Sequence, residues 1–194
     1  TGRKFRNIIN VPSISEAEAN AYSLDYIIEK YKKTYSSIDA IASLGAETFM
    51  LYNITSQKIT NVNSKNKCAA GTGEFFQQQL KRMDLDYSQV DAIPEDEDIY
   101  KVSGRCSVFC KSDCTHALNK NISKSSVAAG LCKMLAEKIE ELLPQRYDNS
   151  SNSQTQNNTK TNILLTGGVT RNKLAMSYLK SKHPNLVILQ ESTY

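Results

Sequence analysis

Residues 66–76, NKCAAGTGEFF, decide how the fold of this chain is interpreted. Cys68 is followed by small residues and two glycines, and then by an apolar run from Phe75 to Met83 at three- and four-residue steps, which is typical of a helix face. The pattern predicts that Cys68 lies just ahead of a helix N-terminus. Free N–H groups and the helix dipole favour a thiolate there, and a thiolate is the form that binds metal.

A second thiol in a similar setting follows at Cys106, in the segment Ser103–Cys114 (SGRCSVFCKSDC). Gly104 breaks the chain ahead of a helix-like run, and Arg105 adds a positive charge beside the thiol. Sulfur-rich sites select zinc, copper(I) or iron–sulfur clusters. Spacing alone leaves two interpretations open: a pair of soft-metal ligands, or small cysteines that fill gaps in helix packing.

The composition predicts a soluble domain. The chain has 194 residues, of which 40% are hydrophobic, and no apolar run approaches the roughly 18 residues that a membrane span needs. Five cysteines and no visible signal peptide favour a reducing compartment and metal or redox use, so we expect a cytoplasmic protein. The net charge of +4 is scattered along the chain, so neither nucleic acid nor a membrane is an expected partner.

Hydrophobic periodicity and turn residues predict the elements of the first half. A capping box at Ser15 and Glu18 opens a helix that runs to about Tyr31. A strand at Ser37–Leu44 and a hairpin of Thr48–Ile54 with Ile59–Val62, turning around Gln57-Lys58, follow. Residues 84–98 are polar and are interpreted as a surface loop with one helical turn.

The second half alternates helices and strands. We predict a strand at Ile99–Val102, a helix from Cys106, a long amphipathic helix at Ser125–Leu143, a strand at Asn162–Leu165, a helix from about Arg171 and a last strand at Leu186–Leu189. Residues 145–161 contain a polar run without apolar members. We interpret them as a disordered insertion in a surface loop, because they cannot offset their ordering entropy by burial.

Cys110 and Cys114 recur at four-residue steps after Cys106, which places all three on one helix face. They are either additional groups near a metal site or small core residues beneath it. The packing role is favoured, because most four-residue apolar stripes on helices are core. His116 is a weaker candidate ligand.

Three ordered motifs, NKCAAGTGEFFQQQLKRM, VSGRCSVFCKSDCTHALNK and LLTGGVTRN, resemble the BadF/BadG/BcrA/BcrD ATPase family over about Thr1–Tyr194. The resemblance implies an α/β lobe of the actin, Hsp70 and sugar-kinase type, with a mixed sheet and helices on both faces. It implies ATP or ADP with magnesium between two lobes, and one [4Fe-4S] cluster held between two subunits by two cysteines from each. Cys68 and Cys106 match the family's two cysteines.

The same resemblance assigns the nucleotide-binding residues. Gly167 and Gly168, with Asn172 following, match the adenosine loop, where glycines let a ligand approach the backbone closely. Gly45 and Glu47 lie in the second phosphate loop, where turn N–H groups face phosphate oxygens and a carboxylate holds magnesium through water. A plain turn is the alternative interpretation at both places.

The chain also departs from the family pattern. Thr1–Arg6 is similar to the turn that closes the first lobe, so we expect the lobe with the first phosphate loop to be missing. The usual Asp-Ile-Gly-Gly-Gln-Asp is replaced by Ser43–Thr48 (SLGAET), without either aspartate, a pattern closer to the family's larger multidomain branch. Both departures argue against ATP hydrolysis by these residues alone.

The resemblance implies an ATP-driven activator that passes an electron to a CoA-ester dehydratase or reductase. A cluster needs four thiolates, so the resemblance implies a homodimer that shares it. The alternative is a degenerate actin-like binding module whose thiols are structural or hold zinc. A small-molecule kinase of the same fold is a third possibility, against which the paired cysteines argue.

Overall fold

The computed structural model describes residues 38–64, 68–143, 162–183 and 186–188, together with residues 12–15 and single positions between 18 and 30. The predicted capping box is present, because the Ser15 N–H donates to Glu18 Oε2 at 2.8 Å and the Glu18 N–H donates to Ser15 Oγ at 3.2 Å. The described positions after Glu18 are helical. The predicted first-lobe turn at Thr1–Arg6 and the predicted insertion at 145–161 lie outside the described residues.

The centre of the described part is a mixed five-stranded sheet. Its strands are β1 (Ala40–Leu44), β2 (Phe49–Thr55), β3 (Lys58–Asn63), β4 (Ile163–Thr166) and β5 (Val187–Ile188), in the order β3-β2-β1-β4-β5. β1 pairs antiparallel with β2 and parallel with β4, in registers that oppose Leu44 to Phe49 and Ala40 to Ile163. This confirms the predicted mixed α/β architecture.

The helices follow the predicted order along the chain. They are α1 (Gly73–Arg82), α2 (Tyr87–Asp91), α3 (Ser107–Asn119), α4 (Lys124–Leu142) and α5 (Lys173–Lys182), with 3-10 turns at Ala69–Gly71 and Gly168–Arg171. Polar side chains cap the N-termini of three of them: Thr72 caps α1, Asp86 forms a capping box on α2, and Ser123 caps α4. None of the helices in the described ranges has the length and apolar character needed to cross a bilayer.

α4 is the central helix of the core. Its buried residues pack with those of the other helices against one face of the sheet, which presents Ala42, Leu44 and Phe49. The other face presents a smaller buried cluster around Ile41, Tyr52 and Leu164. The large apolar areas removed from water on both faces stabilise the lobe, since each buried large aliphatic side chain contributes about 1.5–3 kcal/mol.

Two local predictions are corrected. The hairpin turns at Ser56-Gln57, with φ of 51° and 63°, one residue earlier than predicted, because a two-residue turn with both residues left-handed matches the twist of the strands. Residues 99–102 form no strand. The Tyr100 N–H instead donates to the Ser126 carbonyl, at the start of α4, at 3.2 Å.

Candidate functional site

The thiols of Cys68 and Cys106 are brought to the same end of α3. Cys106 is the residue at which α3 begins, and Cys68 precedes the 3-10 turn at Ala69–Gly71. The backbone N–H and the hydroxyl of Ser107, the first residue of α3, both lower the pKa of the Cys68 thiol, so the start of α3 lies close to this sulfur. Both thiols are partly exposed, and all five cysteines are free.

The pKa of the Cys68 thiol is lowered from its ordinary value. Partial burial raises it, but the N–H of Ala70, the two donors of Ser107 and the charge of Lys138 together lower it by more. Lys138 reaches this site from α4, where its Cε would be 3.3 Å from a Cβ placed on Gly104. A thiolate is therefore favoured at Cys68, as expected, although by different donors.

The expected donors were those of the helix that follows Cys68 in sequence. In the structure the first N–H groups of α1 are used elsewhere: Gly73 donates to the Gly45 carbonyl at 3.3 Å, and Glu74 donates to the Ala46 carbonyl at 2.9 Å. The 3-10 turn separates the thiol from α1. The start of α3 replaces α1 as the anion-stabilising helix end, because its N-terminal groups have no side-chain cap.

The loop that leads to Cys106 is held from two sides. The Ser103 N–H donates to Asp113 Oδ2 at 2.8 Å. Gly104 lies against Met134 and Lys138 of α4, where a Cβ would meet side-chain atoms at 3.1 and 3.3 Å. In the described ranges, no group of three or more His, Cys, Asp or Glu side chains is arranged to hold a metal ion. Cys68 and Cys106 are thus at most two ligands of a larger site.

A second candidate site is a cavity of about 390 Å³ behind the β1–β2 turn. It lies between that turn, the first turns of α1, α2 and the 3-10 turn after β4. Its walls are formed by Ala46, Gly73, Glu74, Gln77, Tyr87, Asp91, Gly168, Val169 and Arg171. Two carboxylates, an amide, a phenol and a guanidinium therefore face a space of the size that small-molecule ligands occupy.

The two predicted glycines at this cavity differ in what they contact. Gly167 has φ of 99°, and a Cβ on it would overlap the backbone of Leu44, so it allows the loop to lie against β1. Gly168 lines the cavity, and a Cβ there would meet nothing within 4 Å. Gly167 is therefore needed for the close approach of the loop to β1, whereas Gly168 leaves an open surface that a ligand can contact.

The other predicted nucleotide residues lie around the cavity and not all in its wall. Gly45 and Glu47 flank Ala46 in the β1–β2 turn, and the Gly45 N–H donates to the Thr48 carbonyl at 3.1 Å. Asn172 is 1% exposed; its Oδ1 accepts from the Ala175 N–H at 2.9 Å and its Nδ2 lies 3.4 Å from Cys132 Sγ. Asn172 thus caps α5 and joins it to α4.

Sequence reasoning did not single out the cavity side chains Glu74, Gln77, Tyr87, Asp91 and Arg171. Glu74 and Gln77 are three residues apart on α1, so they share one face, and this spacing was a usable signal. Tyr87 and Asp91 lie on α2, within the segment that was interpreted as a surface loop with one helical turn. The Asp91 carboxylate also holds Lys173, with Oδ2 3.3 Å from Nζ.

Known proteins with similar sequences cover most of this chain. A model of the BadF/BadG/BcrA/BcrD ATPase family matches residues 8–191. The 2-hydroxyisocaproyl-CoA dehydratase activator of Clostridioides difficile is 27% identical over 160 residues, which are 82% of this chain and 54% of that protein. The chain spans about half the length of the curated relatives it matches.

Two solved structures share the fold. The activator of 2-hydroxyisocaproyl-CoA dehydratase from Clostridium difficile, with bound ADPNP, has a TM-score of 0.71 at 20% identity and covers 95% of this chain and 63% of its own. Component A of the (R)-2-hydroxyglutaryl-CoA dehydratase of Acidaminococcus fermentans has a TM-score of 0.67 at 19% identity and covers 92% and 63%. These likenesses confirm the predicted fold.

Proposed function

The chain belongs to the BadF/BadG/BcrA/BcrD ATPase family, and from that premise we propose that it is the cluster-bearing lobe of an ATP-dependent activator of a CoA-ester dehydratase or reductase. The observation that carries the proposal is the position of Cys68 at the first turn of α3, beside Cys106. Two thiols from distant parts of the sequence converge there, and one of them is favoured as a thiolate. This is the environment that a sulfur-ligated metal requires.

A [4Fe-4S] cluster fits these two residues as half of its ligands. Cys68 and Cys106 would hold it, and N–H groups at the start of α3 would stabilise the negative charge of the thiolates. The cluster supplies one-electron transfer when it is bound. Because four thiolates are needed and this chain offers two at this end of α3, a second copy related by two-fold symmetry completes the set.

The surface beside Cys106 supports a homodimer. Val108 and Phe109 occupy the first turn of α3 and are 69% and 65% exposed. Two consecutive large apolar side chains are rarely left in water without a partner surface. Val108 and Phe109 follow Cys106 by two and three residues, and each residue of a helix advances only about 1.5 Å. A second copy whose thiols reach the same cluster would therefore lie close to this turn.

The cavity behind the β1–β2 turn is proposed as the adenosine end of an ATP or ADP site. Glu74 and Asp91 would accept hydrogen bonds from ribose hydroxyls, and Gly168 would leave room for the base. Because the two carboxylates would repel phosphates, Gly45 and Glu47 in the adjoining turn are the residues that would hold the phosphates and magnesium.

α1 gives a short path between the two sites. Gly73 lines the cavity and comes five residues after Cys68. The Gly73 and Glu74 N–H groups hold the β1–β2 turn. We infer that nucleotide in the cavity moves this turn, that the two hydrogen bonds pass the displacement to the start of α1, and that the 3-10 turn passes it to Cys68. The CoA-ester partner would sense the changed orientation of α3.

Anaerobic iron–sulfur reconstitution tests the cluster. We expect a broad, oxygen-labile visible absorption band, iron and sulfide bound to a dimer, and loss of all three in Cys68→Ser and Cys106→Ser. Cys132→Ser is the matched control, since that thiol is buried against Asn172. Bound zinc without the band indicates the degenerate binding module and rejects the activator.

Calorimetry with ADP and ADPNP tests the nucleotide site. The Gln77 amide lines the cavity and would make one hydrogen bond to the nucleotide. We expect Gln77→Ala to weaken binding roughly fivefold, because loss of one hydrogen bond costs about 1 kcal/mol. Lys81→Ala, one turn further along α1 and outside the cavity wall, is the control and should bind as wild type does. Equal affinities of the two variants would place the nucleotide elsewhere.

A further inference from the structure

Two buried thiols of α3 have no part in the proposed cluster. Cys110 and Cys114 lie one turn apart on the inner face of the helix and are 0% and 3% exposed. In the part of the chain that the structure describes, no metal-binding group includes them. The two thiols differ in their access from solvent, and this difference decides which of them meets a reagent first.

Cys114 lines a cavity between α1 and α3, and Cys110 does not. The cavity has a volume of about 210 Å³. Its walls include Gln79, Arg82 and Met83 from the end of α1, and Cys114, Thr115 and Leu118 from α3. A space of this size admits a small solute, so small reagents reach Cys114 before they reach Cys110.

Arg82 spans this cavity as a fixed positive charge. Its Nη1 donates to Gln79 Oε1 at 2.8 Å, and its Nη2 donates to Thr115 Oγ1 at 2.9 Å. Thr115 in turn donates to the Lys111 carbonyl at 2.9 Å, which fixes its hydroxyl. A guanidinium stays charged at every physiological pH, so the Cys114 thiol shares its cavity with a permanent cation.

The thiol pair itself favours charge on Cys114. The pKa of the Cys114 thiol is lowered from its ordinary value, because the neighbouring Cys110 thiol and the Arg82 charge favour its thiolate against the opposing effects of burial and of Asp113. The Asp113 carboxylate is directed to the Ser103 N–H at 2.8 Å. Cys132 is the internal contrast: burial raises its pKa to about 12.

We propose that Cys114 and Cys110 form a thiol pair that reacts with hydrogen peroxide entering through the α1–α3 cavity. The Cys114 sulfur attacks one peroxide oxygen, the O–O bond breaks, and the departing hydroxide takes a proton to become water. Cys114 is then a sulfenic acid. The Cys110 sulfur attacks the Cys114 sulfur, the S–O bond breaks, and the hydroxide leaves with the Cys110 proton as a second water. The two thiols lose two electrons to the peroxide.

Helix geometry allows the second step with a local distortion. Cα atoms four residues apart on a helix are separated by about 6 Å, within the range that disulfides span, but the Cβ atoms must move closer. The Cys110 N–H donates to the Cys106 carbonyl at 2.9 Å. Closing the disulfide therefore strains the turn that starts at Cys106. Oxidation of the pair would in this way change the backbone at the end of α3 that carries the candidate cluster ligand.

Peptide mapping after limited peroxide treatment of the isolated chain tests this proposal independently of any metal. Trypsin cleaves after Arg105, Lys111 and Lys120, which places Cys106 and Cys110 on residues 106–111 and Cys114 on residues 112–120. We expect these two peptides to become cross-linked. The link should persist in Cys106→Ser, and Cys110→Ser should instead accumulate a sulfenic acid on Cys114 that dimedone traps.

The reaction rate supplies a second readout. Arg82→Gln should slow the oxidation of Cys114 by roughly three- to tenfold, because one pKa unit changes the thiolate fraction about tenfold. Lys81→Gln, the neighbouring position outside the cavity, should leave the rate unchanged. The proposal is overturned if Cys114 is oxidised no faster than Cys132, or if the cross-link disappears in Cys106→Ser.

Discussion

The backbone N–H and the hydroxyl of Ser107 lower the pKa of the thiol of Cys68, a residue 39 positions earlier in the chain. This contact joins the segment before α1 to the first residue of α3. It also places one candidate cluster ligand next to the other, since Ser107 follows Cys106 directly.

Removing the Ser107 hydroxyl should make the Cys68 thiol less reactive. In Ser107→Ala one of the donors that lower the pKa of Cys68 is lost while the backbone N–H remains. We expect the alkylation of Cys68 by iodoacetamide near neutral pH to slow roughly threefold, since about half a pKa unit changes the thiolate fraction by that factor. Ser112→Ala, on the same helix, is the control, and an unchanged rate in Ser107→Ala would contradict the contact.

Substitutions at the two loop glycines should have opposite consequences. Gly167→Ala forces a side chain into the left-handed region and against the backbone of Leu44, so we expect a loss of at least about 2 kcal/mol of unfolding free energy. Gly168→Ala adds a methyl group to open space and should change stability by less than about 0.5 kcal/mol. Urea denaturation measures both, and equal losses would reject the assigned geometry.

Phe109→Ser should weaken the proposed dimer without harming the fold. The side chain is exposed in the single chain, so little folding energy depends on it. If a second copy covers it, the dissociation constant rises at least roughly tenfold, because about 1.5–3 kcal/mol of burial is lost. Sedimentation of the reconstituted protein measures this change.

Val62→Ser on the edge strand β3 is a control for Phe109→Ser, since Val62 is also an exposed apolar residue but lies away from α3. It should leave the dimer intact. A Phe109→Ser protein that keeps both its cluster and its dimer would show that this turn is outside the interface, while leaving the cluster proposal standing.

Glu140 should make stability depend on pH at the acid end. Burial raises the pKa of its carboxyl, but hydrogen bonds from Lys182 at 2.8 Å and His183 at 3.2 Å bring the pKa below its ordinary value of 4.5. The hydrogen bond to Glu140 also raises the pKa of Lys182 above 10.5. The contribution of the pair is therefore complete between pH 4.5 and 10.5 and is lost as pH falls through the lowered Glu140 pKa.

Glu140→Gln should lower the midpoint of thermal unfolding at neutral pH by about 2–4 °C and flatten the acid limb of the stability profile. Glu141→Gln is the matched control: its carboxylate is more exposed and pairs with Lys138 on the same helix. Similar pH profiles for the two variants would mean that the Glu140 cluster contributes nothing measurable to the joint between α4 and α5.

Much of the architecture could be predicted because it is encoded within a few neighbouring residues. Local patterns predict a backbone conformation in three places: the three- and four-residue apolar steps of α1 and α4, the capping box at Ser15, and the Gly-Gly turn after β4. The segment at 99–102 was wrongly predicted as a strand because a short apolar run does not say whether it pairs with a strand or packs on a helix.

The sequence by itself determined most of the elements, their order, and that Cys68 and Cys106 precede helical turns. Only the tertiary structure decided that α3, and not α1, supplies helix-end donors to Cys68, that Gly168 faces a cavity while Gly167 faces β1, and that Asn172 is turned into the core. The physical reason is the distance along the chain over which each interaction acts. Periodicity and caps act over a few residues, whereas the partner of a thiol or an amide is set by which helix ends meet when the shared core of α4 is buried.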